Sequence, residues 1–145
     1  MAVRLIFTLI CDDVRIERSN KLIVVGLYNR VIGFPNVGQA SLKGQTPVGQ
    51  APKFALPSLC FVRRWIVDSP GVKARTELID PNGQSVPIGE EELPVPAEHS
   101  YHQQLIRMNG IILIPGVYTI RTTYDEKAPS TYDEQFEVKI QGNPS

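Results

Sequence analysis

The chain has little of what marks several large classes of protein. Cys11 and Cys60 are its only cysteines in 145 residues, too few for a disulfide scaffold. It has no run of about 18 apolar residues, so no segment suits a membrane-spanning helix. It also lacks a surplus of either charge. Fifteen Lys and Arg balance fifteen Asp and Glu, whereas a non-specific nucleic-acid binder needs excess cations to displace counterions. His99 and His102 are the only histidines. Phosphate-cradling glycine loops, a nucleophile elbow and a paired-histidine metal helix are all missing.

What is present suits one folded unit over residues 1–145, with 42% hydrophobic residues to build a core. Val3, Leu5, Phe7, Leu9 and Cys11 alternate with Arg4, Ile6, Thr8, Ile10 and Asp12, which is the period of a strand. An apolar stretch of about seven residues is at the lower limit for an export signal, so the strand is preferred and a cytoplasmic location is expected. Leu22 to Tyr28 (LIVVGLY) is apolar on both faces and rich in β-branched residues, which predicts a central strand.

Further strands are predicted over 59–67, 72–78, 84–88, 101–108, 117–124 and 132–140. Asp80-Pro-Asn-Gly83 is a turn in which proline presets φ and glycine accepts a positive one. Two prolines between Glu90 and Ala97 forbid a helix there and imply an extended connection. Seven to nine strands separated by turns predict an all-β, immunoglobulin-like, two-sheet antiparallel β-sandwich. Leu5, Phe7, Leu9, Ile23, Val25, Phe61, Tyr118, Ile120, Phe136 and Val138 are expected between the sheets. Glu134 interrupts the apolar side of the last strand.

Residues 34–53 form a long segment with few large apolar side chains and Gly-Gln at 38, 44 and 49. A loop of this length in a compact domain suggests either a partner contact or a tolerated insertion. Gly38, Lys43, Gln45 and Gln50 are its candidate contact residues. Arg63 and Arg64 join them, because adjacent arginines in mid-strand send one guanidinium to each face. The inward one needs an acid or a carbonyl, and the outward one is free to meet an anion or a partner.

Two segments carry a resemblance. The first is Leu9-Ile-Cys-Asp-Asp-Val-Arg15 followed by Lys21-Leu-Ile-Val-Val-Gly-Leu-Tyr28, and the second is Pro115-Gly-Val-Tyr-Thr-Ile-Arg121. Together they resemble an uncharacterised bacterial family of small β-sandwich proteins, with Cys11, Asp12, Asp13, Gly26, Tyr28, Gly116 and Tyr118 as the matching positions. The resemblance implies a fold and a cytoplasmic setting, but no activity.

The chemistry-bearing residues point to binding more than to catalysis. Asp12 and Asp13 suit a turn cap. A hard cation or acid–base work there would need the chain to bend so that the carboxylates meet. The two cysteines sit among apolar strand residues, as buried free thiols do. No cofactor or metal site is expected. The favoured function is a non-enzymatic protein-interaction or self-assembly module. The alternatives are a small-molecule or carbohydrate site built on Trp65, Tyr101, Tyr118, Tyr124 and Tyr132, and a metal-dependent enzyme centred on Asp12, Asp13 and a histidine.

Overall fold

The computed structural model describes residues 3–19, 22–35, 52–68, 70–96, 101–125 and 130–141. Among the described residues nine strands follow one another: β1 (Val3–Ile16), β2 (Leu22–Tyr28), β3 (Val31–Pro35), β4 (Phe54–Val67), β5 (Lys73–Ile79), β6 (Ser85–Glu92), β7 (His102–Leu113), β8 (Gly116–Asp125) and β9 (Ser130–Gln141). They form two sheets, ordered β2-β1-β4-β7 and β3-β9-β8-β5-β6. Helix is absent among the described residues. The chain is therefore all-β, a two-sheet sandwich of immunoglobulin-like design.

One pairing departs from the antiparallel expectation: β3 runs parallel to β9, from Val31 opposite Glu137 to Pro35 opposite Gln141. The β3 strand itself was not among those expected, and it runs into the first two residues, 34 and 35, of the segment read as loop. Likewise, Glu90 to Glu92, assigned to an extended connection, continue β6 and pair with Arg75 to Lys73.

The inter-sheet core contains Ile10, Ile32, Leu59, Phe61, Tyr118, Ile120, Phe136 and Val138 among its buried residues. Stacking of Tyr118 on Phe136 at 5.2 Å ties β8 to β9, and Phe61 tilts onto Phe136 from the opposite sheet. A second buried cluster, around Trp65, Leu93 and Tyr124, fills one end, with Leu5 packed against it. Phe61, Tyr118, Ile120, Phe136 and Val138 thus lie as expected.

Four other expected core positions do not. A register shift between Leu5 and Phe7 turns β1 over, so Thr8 and Ile10 face the second sheet. Phe7 lies under Arg64, and Leu9 packs against the cluster of Cys11, Cys60 and Val62. A one-residue slip moves a whole set of side chains to the other face, and nothing in the alternation announces a bulge. Ile23 and Val25 are exposed, because β2 is an edge strand and not a central one.

The corner between β7 and β8 shows why Gly116 and Tyr118 matter. The Tyr118 hydroxyl accepts a hydrogen bond of 2.9 Å from the Ile114 backbone N–H, the geometry of a tyrosine corner. Gly116 adopts φ 132°, and a Cβ there would lie 2.7 Å from the Pro81 ring.

Candidate functional site

The adjacent arginines separate as their alternation requires. Arg63 is fully buried and enters the space between the sheets. Its Nη2 donates to Thr122 Oγ1 at 2.6 Å and to Glu134 Oε1 at 3.2 Å, its Nη1 to Thr76 Oγ1 at 3.1 Å, and its Nε to Thr8 Oγ1 at 3.3 Å. The guanidinium also lies 4.8 Å from the centre of the Trp65 ring. Burial lowers the Arg63 pKa, and Glu134 works against that. Glu134, the acid that broke the apolar side of β9, is the counter-ion, and Arg30 holds its second oxygen at 3.2 Å. Arg63 is therefore a structural cross-tie and is not open to a partner. Arg64 faces outward, with its guanidinium over Phe7 and Tyr101 at 5.2 and 5.5 Å.

The outer face of the four-stranded sheet brings together most of the N-terminal signature. Cys11 on β1 lies directly opposite Cys60 on β4, and Cys60 lies directly opposite Arg107 on β7. Phe61 and Arg63 point inward, so Cys60 and Val62 point outward by alternation. The Cys11 thiol donates to the Cys60 carbonyl at 3.7 Å, and the Cys60 thiol donates to the Asp12 carbonyl at 3.9 Å. Both sulfhydryls are free and buried.

Arg107 closes the site. From β7 its Nη2 donates to the Val14 carbonyl and lies 3.2 Å from Asp13 Oδ1, both on β1. Because β4 lies between β1 and β7, this side chain must cross over Cys60. The contact with Cys60 is the first cause of a raised Arg107 pKa. Burial first, then the proximity of Cys60, Asp12 and Asp13, pushes the Cys11 thiol up to about 11.

Asp12 and Asp13 do not converge. The Tyr28 hydroxyl donates to Asp12 Oδ1, and Ser58 Oγ donates to the Asp12 carbonyl. Desolvation and that carboxylate raise the Tyr28 pKa. Asp13 accepts the Val14 N–H at 2.8 Å and pairs with Arg107. The chain bends at this level: Cys11 and Val14 share one buried cluster although they are three residues apart. Across from them Gly26 takes φ 67°, and a Cβ there would run into the Asp12 carboxylate.

The bend thus sets the two carboxylates to separate tasks. Of the histidines, His99 lies outside the described residues. His102 faces Trp65 in register, and its Nε2 is 2.9 Å from Glu91 Oε1. Trp65 is seven steps along β4 from Ser58, roughly 23 Å of strand, so Asp12 and His102 do not meet. No cluster of three or more His, Cys, Asp or Glu residues suited to a metal occurs among the described residues.

Two further features bear on binding. Between the facing edges of β6 and β7 opens a cleft of about 510 Å³, lined by Leu78, Val86, Ile88, Met108, Ile112 and Tyr118 among others. Asp80 at its rim is committed to its own turn, accepting the Asn82 and Gln84 N–H groups at 2.9 Å. Of the five candidate aromatics, Trp65, Tyr118 and Tyr124 are buried, which leaves Tyr101, just before β7, and Tyr132, on β9 of the other sheet, exposed. The candidate positions Gly38, Lys43, Gln45 and Gln50 lie outside the described residues.

The sequence did not signal Arg107, Ser58 or the pairing of Cys11 with Cys60. Pairing is a matter of strand register, and the 48 residues between them include segments whose lengths set that register without leaving a local pattern. Comparison with protein-family models and with curated protein sequences gives no match.

Proposed function

We propose that the protein is a non-enzymatic assembly module whose β2 edge adds to the β2 edge of a second copy, joining two four-stranded sheets into one. The supporting observation is that β2, apolar on both faces, is an edge strand: Leu22 and Val24 pack against the thiol cluster, while Ile23, Val25 and Leu27 are exposed, Leu27 by 61%. Edge strands normally carry protection against pairing. At the edges of the five-stranded sheet, β6 carries Pro87 and Glu90 to Glu92, and β3 is five residues long and ends in Pro35. From 22 to 28, β2 has no proline and no charge.

A second copy is the occupant that fits. An uncharged strand offers no sign for an oppositely charged partner to read, and antiparallel pairing of the same strand about a two-fold axis is self-complementary. The test is sedimentation of the native protein over a range of concentrations. Wild type is expected to dimerise, and Val25→Lys to stay monomeric while still folded by circular dichroism, with melting that no longer depends on concentration. A wild-type monomer at every concentration overturns the proposal.

The cleft between β6 and β7 favours a second reading, a site for a neutral apolar small molecule, since its volume lies within the usual range for ligand pockets. A neutral naphthylamine dye should brighten on binding wild type and not Ile88→Glu.

A further inference from the structure

The chain's two cysteines are direct cross-strand neighbours. Directly opposed residues on antiparallel strands have Cα atoms about 4.5–5.5 Å apart, inside the range of about 4.4–6.8 Å that a disulfide spans. Each thiol already reaches the partner strand's backbone, at 3.7 and 3.9 Å. The two are not equivalent. Arg107 stands directly opposite Cys60 and crosses over it, whereas at Cys11, which it also reaches, burial, Cys60, Asp12 and Asp13 outweigh it and hold the proton to about 11. A positive neighbour favours the thiolate, which is the nucleophile.

We propose that Cys11 and Cys60 form a reversible dithiol–disulfide pair, oxidised by a peroxide, in which Cys60 attacks first and Cys11 resolves. Both sulfurs are buried, so the oxidant has to be about the size of water, and hydrogen peroxide is the smallest of its class. The Cys60 thiol gives up its proton under Arg107. Its sulfur attacks one peroxide oxygen, the O–O bond breaks, and the departing hydroxide takes up that proton as water. This leaves a sulfenic acid on Cys60. The Cys11 sulfur then attacks the Cys60 sulfur. The S–O bond breaks, and the hydroxide leaves as a second water with the Cys11 proton. One peroxide is reduced to two waters, and the protein loses two electrons and two protons. Two equivalents of a small thiol return the pair to the dithiol by exchange, the first forming a mixed disulfide and the second releasing it as the small-thiol disulfide.

The test treats native full-length protein with hydrogen peroxide, quenches it, and alkylates under denaturing conditions without reductant before mass analysis of the intact chain and its peptides. The expected product is lighter by two hydrogen atoms, takes up no alkyl group, and yields a cross-linked peptide joining Cys11 to Cys60 that a thiol reductant separates. Cys11→Ser should accumulate a sulfenic acid on Cys60 that dimedone traps, and Cys60→Ser should give no such adduct on Cys11. Arg107→Met keeps the cover without the charge, and should slow the first step on the order of tenfold. Arg107→Lys should stay near the wild-type rate.

Two free thiols after prolonged treatment, or over-oxidation of one cysteine without the cross-link, overturns the pairing. An Arg107→Met rate equal to wild type, or a dimedone adduct on Cys11 in Cys60→Ser, overturns the order of attack. Circular dichroism of each variant establishes that it is folded before its rate is read.

Discussion

The two faces of β4 solve the same problem differently. Inward, Arg63 is enclosed by Thr8, Thr76, Thr122 and Glu134, drawn from β1, β5, β8 and β9, so one side chain ties both sheets together. Outward, Cys60 is enclosed by Cys11 and by the crossing Arg107, within one sheet. The inner arginine is fully buried and cannot move without leaving polar groups orphaned. The outer one keeps 42% of its side chain in solvent. Burial makes the inner charge structural, and exposure leaves the outer one free to move and to act on a neighbour.

The largest effect should come from breaking the inner tie. Glu134→Ala leaves Arg63 uncompensated in the core and is expected to cost about 3–5 kcal/mol in denaturant unfolding. A loss below about 1 kcal/mol would show that the threonines alone satisfy the guanidinium, and the contrast between the faces would fail.

Gly26→Ala comes next, at about 1–3 kcal/mol, since it combines a left-handed residue with a collision against Asp12. Asp12→Ala in the same chain should recover part of that loss by removing the collision while leaving the backbone strain. Thermal unfolding of the two single variants and the double variant measures the coupling.

Alkaline pH should act on the outer face. The Cys11 thiol has an ordinary pKa of 9.0 and a folded one of about 11. Its protonated form is thus favoured by folding: the stabilisation is complete below pH 9 and is lost as pH rises through 11. Tyr28, also shifted upward by burial and by Asp12, adds a loss above pH 10. Cys11→Ser should flatten the part of the stability curve between pH 9 and 11, and an unchanged curve would remove Cys11 from the account.

The smallest effect should be Asp13→Asn, within about 0.5 kcal/mol by denaturant unfolding, because both side chains of its ion pair with Arg107 are 42% exposed. A loss of several kcal/mol would mean that the outer face is as structural as the inner one.

How far the sequence reached follows the range of each determinant. The Asp80–Gly83 turn was legible because its chemistry lies in the turn itself: Gly83 takes φ 85° and its N–H donates to the Asp80 carbonyl at 2.9 Å. The need for an acid beside an inward arginine was legible too, and so was Glu134 as an anomaly on an apolar side. Their meeting was not, since 71 residues separate them. The outer site shows the same limit. Asp12, Asp13, Gly26 and Tyr28 stood out locally, but Arg107 has nothing beside it in sequence that distinguishes it from any exposed arginine on a strand.

The sequence by itself determined that this chain is a two-sheet sandwich, because strand period, β-branched runs and turn chemistry are properties of neighbouring residues. Only the tertiary structure decided which strands stand at the edges, where β1 turns over near Ile6, and that Cys11 faces Cys60. Those depend on register between segments far apart in the chain, and a single bulge or a changed strand order exchanges the faces while leaving the local pattern untouched.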